Sequence, residues 1–223
     1  MAQLEIACFS VESAVIAQQS GAQRIELCAD REAGGITPTQ AVFTQIQAQV
    51  RIPIFIMIRP RGGNFVYTPA EFEQMKQSVL QFKQAGAQGF VFGCLTENGA
   101  VHPTQNKELL QLAHPLPCTF HRAFDELLDK QSALQELIQL KFKQLLTAGH
   151  PGDAVAGISS LKQLQEQAQG SLIVMGGGGV RACNATKILV EARLSWVHSS
   201  AITAGEEANP EEIKALLVAC QSA

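Results

Sequence analysis

The sequence predicts an α/β fold, a single-domain TIM-type (β/α)₈ barrel over residues 1–223, and three features point to it. First, an apolar strand, a turn and an amphipathic helix recur along the chain often enough to give eight strands. Second, the stretch Ile54–Ile58 is five large apolar residues in a row, a strand buried on both faces, as in a parallel sheet covered by helices. Third, that strand runs into Arg59, Pro60, Arg61 and a Gly pair. Paired positive charge at the C-terminal end of a buried strand is what the active end of such a barrel presents.

Taken in order, the strands read as Leu4–Ala7, Arg24–Leu27, Ile54–Ile58, Gly89–Phe92, Cys118–Phe120, Gln144–Leu146, Leu172–Met175 and Ser195–Val197. Helices between them announce their starts. Thr37-Pro38-Thr39-Gln40, Thr68-Pro69-Ala70-Glu71 and Asn209-Pro210-Glu211-Glu212 each place a capping side chain, a Pro at the first helical position and an acid or amide that reaches back. Gly21 and Gly86 close helices in the parallel phrases SGAQ and AGAQ, each leading straight into a strand. No linker, charge block or low-complexity segment divides the chain, so it reads as one domain.

Composition narrows the function classes. Hydrophobic content of 46% and charged content of 17% are globular values. A net charge of −3, with Lys and Arg scattered, offers no footprint for nucleic acid. The first residues lack the basic and apolar regions of a signal peptide, and the apolar runs are strand-sized, so no membrane span is expected. Six cysteines at wide, irregular spacings read as reduced cytoplasmic thiols.

Side chains alternate across a strand, so polar residues sharing the inner side can be picked out. With Leu4, Ile6, Ile25 and Leu27 facing the helices, Glu5, Glu26 and Cys28 face inward. Arg59 and Arg61 share a side with Phe55 and Met57, Thr119 with His121, and Trp196 with His198. Two carboxylates, two guanidiniums, two imidazoles and a thiol thus converge on one end of the ring. They are either a functional pocket or mutually neutralising ion pairs, and barrel interiors are normally filled with branched aliphatics. Just past the fifth strand, Asp125 either holds His121 in one tautomer or caps the following helix. His102, His114 and His150 each adjoin a Pro in loop-like context and read as surface residues.

Gly176, Gly177, Gly178 and Gly179 follow the seventh strand, and Ser199 and Ser200 end the eighth. A glycine run lets backbone N–H groups approach phosphate or carboxylate closely, and loops after strands seven and eight often bind phosphate in such barrels. The plain alternative is a tight turn. Cys8 and Cys28 end neighbouring strands, whose backbones would lie about 4.8 Å apart. Two thiolates so placed could approach linear Cu(I). Strict alternation, however, turns Cys28 inward and Cys8 outward, so the pair works only if the chain has left strand geometry at Cys8. Otherwise both are buried, inert thiols.

The phrases GGITPT (34–39), MIRPRGGNFVY (57–67), TFHRAFD (119–125), GGGGVR (176–181) and VHSSA (197–201), in this order and spacing, resemble the copper homeostasis protein CutC family. The resemblance implies a cytoplasmic (β/α)₈-type barrel, often a homo-oligomer, assigned to copper tolerance and trafficking. It also implies that Cys8 and Cys28 bind Cu(I). The chain departs from the family pattern at Gly176, where Pro or Ala is usual, and at Ala148 and His150. After Ala201 it reaches the final helix at Asn209 without the usual longer segment.

Two functions follow. One is Cu(I) binding through the thiolates of Cys8 and Cys28. The other is an enzyme acting on a small anionic metabolite, with Arg59, Arg61 and the glycine loop holding charge while Glu26 and His121 exchange protons.

Overall fold

Eight short strands alternate with eight helices, and the strands close into one parallel barrel in chain order. The computed structural model describes residues 1–150 and 152–223. The strands are β1 (Gln3–Cys8), β2 (Arg24–Leu27), β3 (Ile54–Met57), β4 (Gly89–Phe92), β5 (Cys118–Phe120), β6 (Gln144–Thr147), β7 (Ile173–Gly176) and β8 (Trp196–Ser199). The helices are α1 (Val11–Gln19), α2 (Gln40–Gln49), α3 (Pro69–Gln84), α4 (Pro103–Ala113), α5 (Lys130–Leu140), α6 (Ile158–Ala168), α7 (Ala182–Ala192) and α8 (Pro210–Ser222). A 3₁₀ turn over Arg122–Glu126 follows β5. Among the described residues no helix is long and apolar enough to cross a membrane.

Closure falls on β1, the longest strand, which pairs Ala7 with Glu26 of β2 and Glu5 with His198 of β8. Its outward residues Leu4, Ile6 and Cys8 join Ile25, Leu27, Ile54 and Ile56 in a core shared with Ala14, Ala17, Phe43 and Ile46 of the helices. Each large side chain withdrawn from water there contributes about 1.5–3 kcal/mol, which is what holds the helices on the sheet.

The strands lie where the sequence puts them, with ends displaced by one or two residues. β3 stops at Met57, although the Ile58 N–H still bonds Val91 O at 2.8 Å. The α3 cap is the reciprocal Thr68–Glu71 box, and Asn209 caps α8. The α2 cap is Thr39 rather than Thr37. Thr37 instead exchanges hydrogen bonds with the Arg59 backbone, so Pro38 precedes the helix rather than opening it. Gly21 and Gly86 follow α1 and α3 with φ of +98° and +93°, a conformation a side chain would strain.

Candidate active site at the barrel mouth

The inner faces of β1, β2 and β8 carry a chain of charges. Arg24, with Glu26 and Cys28 on the inner side of β2, is buried and forms an ion pair with fully buried Glu5. Its guanidinium lies between two rings, 4.1 Å from the Phe55 centroid and 4.3 Å from that of Trp196. The other Glu5 oxygen meets His198 Nδ1 at 2.8 Å. Across the same imidazole, Nε2 lies 3.8 Å from Glu26 Oε2, which also accepts the Cys28 thiol at 3.4 Å.

These neighbours set the protonation states. Burial alone would raise Glu5, but Arg24 and then His198 outweigh it and hold its carboxyl below the usual range. Glu26 goes the other way: burial raises it more than His198 lowers it. His198 is raised, because Glu26 and Glu5 overcome the burial that would discharge it. The result is an imidazole shifted toward its charged form between two carboxyls, one shifted toward the carboxylate and the other toward the protonated acid.

The opposite inner wall is built from β3 and β5. Arg59 is buried; its Nη1 donates to Ala33 O and Gly35 O at 2.9 and 3.0 Å, and its Nη2 to Gly63 O at 2.7 Å. The Phe65 ring lies between Arg59 and His121, 4.7 Å from the guanidinium carbon and 4.7 Å from the imidazole centroid. His121 Nδ1 accepts the Ala123 N–H at 3.3 Å. Burial, reinforced by Arg59, pushes this imidazole down to about 3, so it is neutral at ordinary pH and does not exchange protons as expected.

Between the two walls lies a cavity of about 270 Å³ lined by Glu26, Cys28, Arg59, Phe65, His121 and His198. Its rim adds Arg31, Arg122, Arg181, Gly178, Gly179 and Ser200. Gly178 has φ of +97°, and a Cβ there would come within 3.0 Å of the Arg122 guanidinium carbon, so this glycine is what admits Arg122 to the rim. The N–H groups of Gly178 and Gly179 make no hydrogen bond among the described residues.

Other expected residues stand elsewhere. Arg61 is not at the cavity: its Nε bonds Glu71 at 2.5 Å and its Nη2 the Val66 carbonyl at 2.8 Å. Strand geometry ends at Met57, so the alternation that paired Arg61 with Arg59 no longer applies. Asp125 neither orients His121 nor caps a helix; it accepts the Thr147 hydroxyl, the Ala148 N–H and Arg122 Nε, tying the β5 end to the β6 end. Gly177 serves packing, since a Cβ would strike Leu146 at 2.4 Å, and its N–H bonds Thr147 O. The Ser199 hydroxyl lines the cavity but is engaged with Val180 O at 2.7 Å and Arg181 at 3.2 Å. Arg24 went unread in the sequence, although it shares parity with Glu26 and Cys28.

Comparison with known proteins decides the family. The family model described as CutC family matches residues 2–203. The chain belongs to the CutC family. It is 44% identical over 198 residues to the human copper homeostasis protein cutC homolog, covering 89% of this chain and 72% of that protein. It is 44% identical over 201 residues to the family protein CutC of Proteus mirabilis, covering 90% of this chain and 80% of the relative. The crystal structure of CutC from Streptococcus agalactiae superposes with a TM-score of 0.86 at 30% identity, covering 91% of this chain and all of that one.

The two CutC cysteines can now be tested as a pair. The Cys28 N–H bonds Cys8 O at 2.9 Å, so their backbones are neighbours. Their side chains are not: Cys8 lies in the outer core and points its thiol at Ile6 O, while Cys28 lines the cavity. Burial, then Glu26, raises both thiols well above their usual value, against the thiolate form that Cu(I) requires. Among the described residues no group of three or more His, Cys, Asp or Glu side chains could hold a metal. Paired coordination by Cys8 and Cys28 does not fit this arrangement. Where CutC relatives lead one to expect a longer segment after Ala201, the short loop places Glu207 on the Ser10 and Ser13 hydroxyls at the start of α1, and Gly205 O on Arg31.

Proposed function

We propose that the mouth of this barrel binds a small phosphorylated or carboxylate metabolite and moves a proton on it, with Glu26 and His198 as the exchanging pair. One observation carries the reading: Glu26 in β2, Arg59 just past β3 and His121 just past β5 line one cavity, and each has a buried atom, Glu26 Oε1, Arg59 Nε and His121 Nε2, without a hydrogen-bond partner among the described residues. Leaving a buried polar atom unsatisfied costs about 1–3 kcal/mol, so three together mark a place where a ligand supplies the missing bonds. The rim favours an anion, since Arg31, Arg122 and Arg181 line it together with Gly178 and Gly179, whose N–H groups make no hydrogen bond among the described residues. Glu26 and Glu5 favour the charged form of His198 against burial and the nearby Arg24, and His198 in turn steadies the Glu26 carboxylate when it has lost its proton. Six free cysteines support a reducing, cytoplasmic setting.

A thermal-shift panel of inorganic phosphate, phosphate esters and short carboxylates tests this. A ligand at a hundredfold excess over its Kd raises Tm by about 5–10 °C, and Arg122→Ala removes most of that shift. A panel that produces no shift rejects the reading. The name of the human relative motivates a second one, Cu(I) handling through cysteine thiolates. Only Cys28 has access to the cavity, so this reading rests on Cys28 rather than on a pair.

A further inference from the structure

Two of the three unpartnered atoms are donors whose identity is fixed. Because His121 Nδ1 accepts from the Ala123 N–H, the ring proton sits on Nε2. The ring cannot turn freely: it contacts Phe65 and Phe120 and lies against Gly93, where a Cβ would come within 2.8 Å of it. Arg59 has three of its five N–H groups engaged by backbone carbonyls, two from Nη1 and one from Nη2, and its buried Nε–H has no partner among the described residues. The third orphan, Glu26 Oε1, is a carboxyl oxygen on the same cavity. Two rigid N–H donors sharing a cavity with one carboxyl suit a reaction in which an oxygen gains charge as a neighbouring carbon loses a proton.

Resting on the function proposed above, we infer that this site enolises short-chain phosphorylated hydroxy-carbonyl compounds, with His121 Nε2–H and Arg59 Nε–H as the donors that hold the carbonyl oxygen. Glu26 takes the proton from the carbon next to the carbonyl. The C–H electron pair becomes the new C=C bond, and the carbonyl π pair moves onto the oxygen, where His121 and Arg59 bond it. Return of the proton from Glu26 to the same carbon restores the substrate. Return to the adjacent carbon, with the neighbouring hydroxyl handing its proton to the first oxygen, gives the isomer. No oxidant, reductant or cofactor is consumed. A neutral His121, with its proton held at Nε2, acts as a donor at every pH where Glu26 can act as a base. The cavity of about 270 Å³ opens at the arginine rim, which suits a short chain with its phosphate held there.

The test is deuterium incorporation from D₂O, followed by proton NMR, with dihydroxyacetone phosphate, ribulose 5-phosphate and fructose 6-phosphate as probes. Wild type should exchange the carbon-bound hydrogen beside the carbonyl of at least one probe, and Glu26→Gln should abolish the exchange. His121→Ala should slow it by about 100-fold or more while leaving the Kd for inorganic phosphate unchanged. His121→Gln, which restores an N–H donor and fills the same space, should recover part of the rate. Binding of these probes without exchange overturns the inference and leaves anion binding standing. Exchange at the wild-type rate in folded His121→Gln and His121→Ala overturns the role of His121. Absence of any thermal shift with phosphate or the probes overturns the underlying function itself.

Discussion

The two walls of the barrel mouth are built from the same residue types and treated in opposite ways. On the β1–β2–β8 wall Arg24, Glu5 and His198 are each paired and the guanidinium is sandwiched between rings, so that of its charged groups Glu26 alone keeps an oxygen without a partner among the described residues. On the β3–β5 wall Arg59 and His121 are buried too, yet each keeps a buried nitrogen without a partner among the described residues. A saturated network rigidifies a site and sets its charges, whereas an unsaturated one stores free energy that a ligand can recover. The first wall therefore biases protonation, and the second keeps unmade hydrogen bonds that the proposed ligand would complete.

Breaking the saturated wall should have the largest effect. Arg24→Ala leaves the Glu5 carboxylate buried with His198 as its remaining ionic partner, and losing one member of a buried pair costs about 3–5 kcal/mol. Urea unfolding of the variant measures it. A loss below about 1 kcal/mol would mean that the wall is not held by its charges.

The unsaturated wall should show itself in pH dependence. His121 is held at about 3 in the fold against 6.5 when free, so the folded state binds its proton less readily than the unfolded chain. That stability is present above about pH 6.5 and is lost as pH falls toward 3, at up to about 1.4 kcal/mol per unit. Between pH 6.5 and 5 the loss amounts to about 2 kcal/mol. His121→Gln should lack this slope when the two stabilities are subtracted. Glu26 and His198, both raised, act in the opposite sense, losing stability as pH rises, and are common to the two proteins, so they cancel. Equal slopes would show that His121 titrates freely and that the wall is open to water.

How much of this was legible in the sequence follows from where strand geometry holds. Period two correctly turned Glu26, Cys28 and His198 inward and Cys8 outward, because those residues lie in or directly at the ends of β1, β2 and β8. The same rule applied to Arg24 would have found the ion pair. It misplaced Arg61, directly after Pro60 and outside β3, where the chain turns and a helix-capping Glu71 is the nearer partner. Asp125 could not be placed, because a 3₁₀ turn after β5 aims it at β6. The orphaned atoms were invisible, since an unmade hydrogen bond depends on what the rest of the fold fails to supply.

The smallest expected effect concerns the saturated wall and the two thiols on either side of it. A linear Cu(I) site shared by Cys8 and Cys28 requires that either substitution alone destroy binding. The side chains instead stand on opposite faces of β1 and β2, with Cys8 sealed among Leu4, Ile6 and the helices and Cys28 on the cavity. Cys8→Ser should therefore leave Cu(I) affinity at the wild-type value in anaerobic competition with a chelator, and the Cys8→Ser, Cys28→Ser double variant should bind no worse than Cys28→Ser alone. If Cys8→Ser by itself removes tight Cu(I) binding, the sheet must open at β1 to bring the thiols together. The wall read here as rigid would then be the moving part of a copper site.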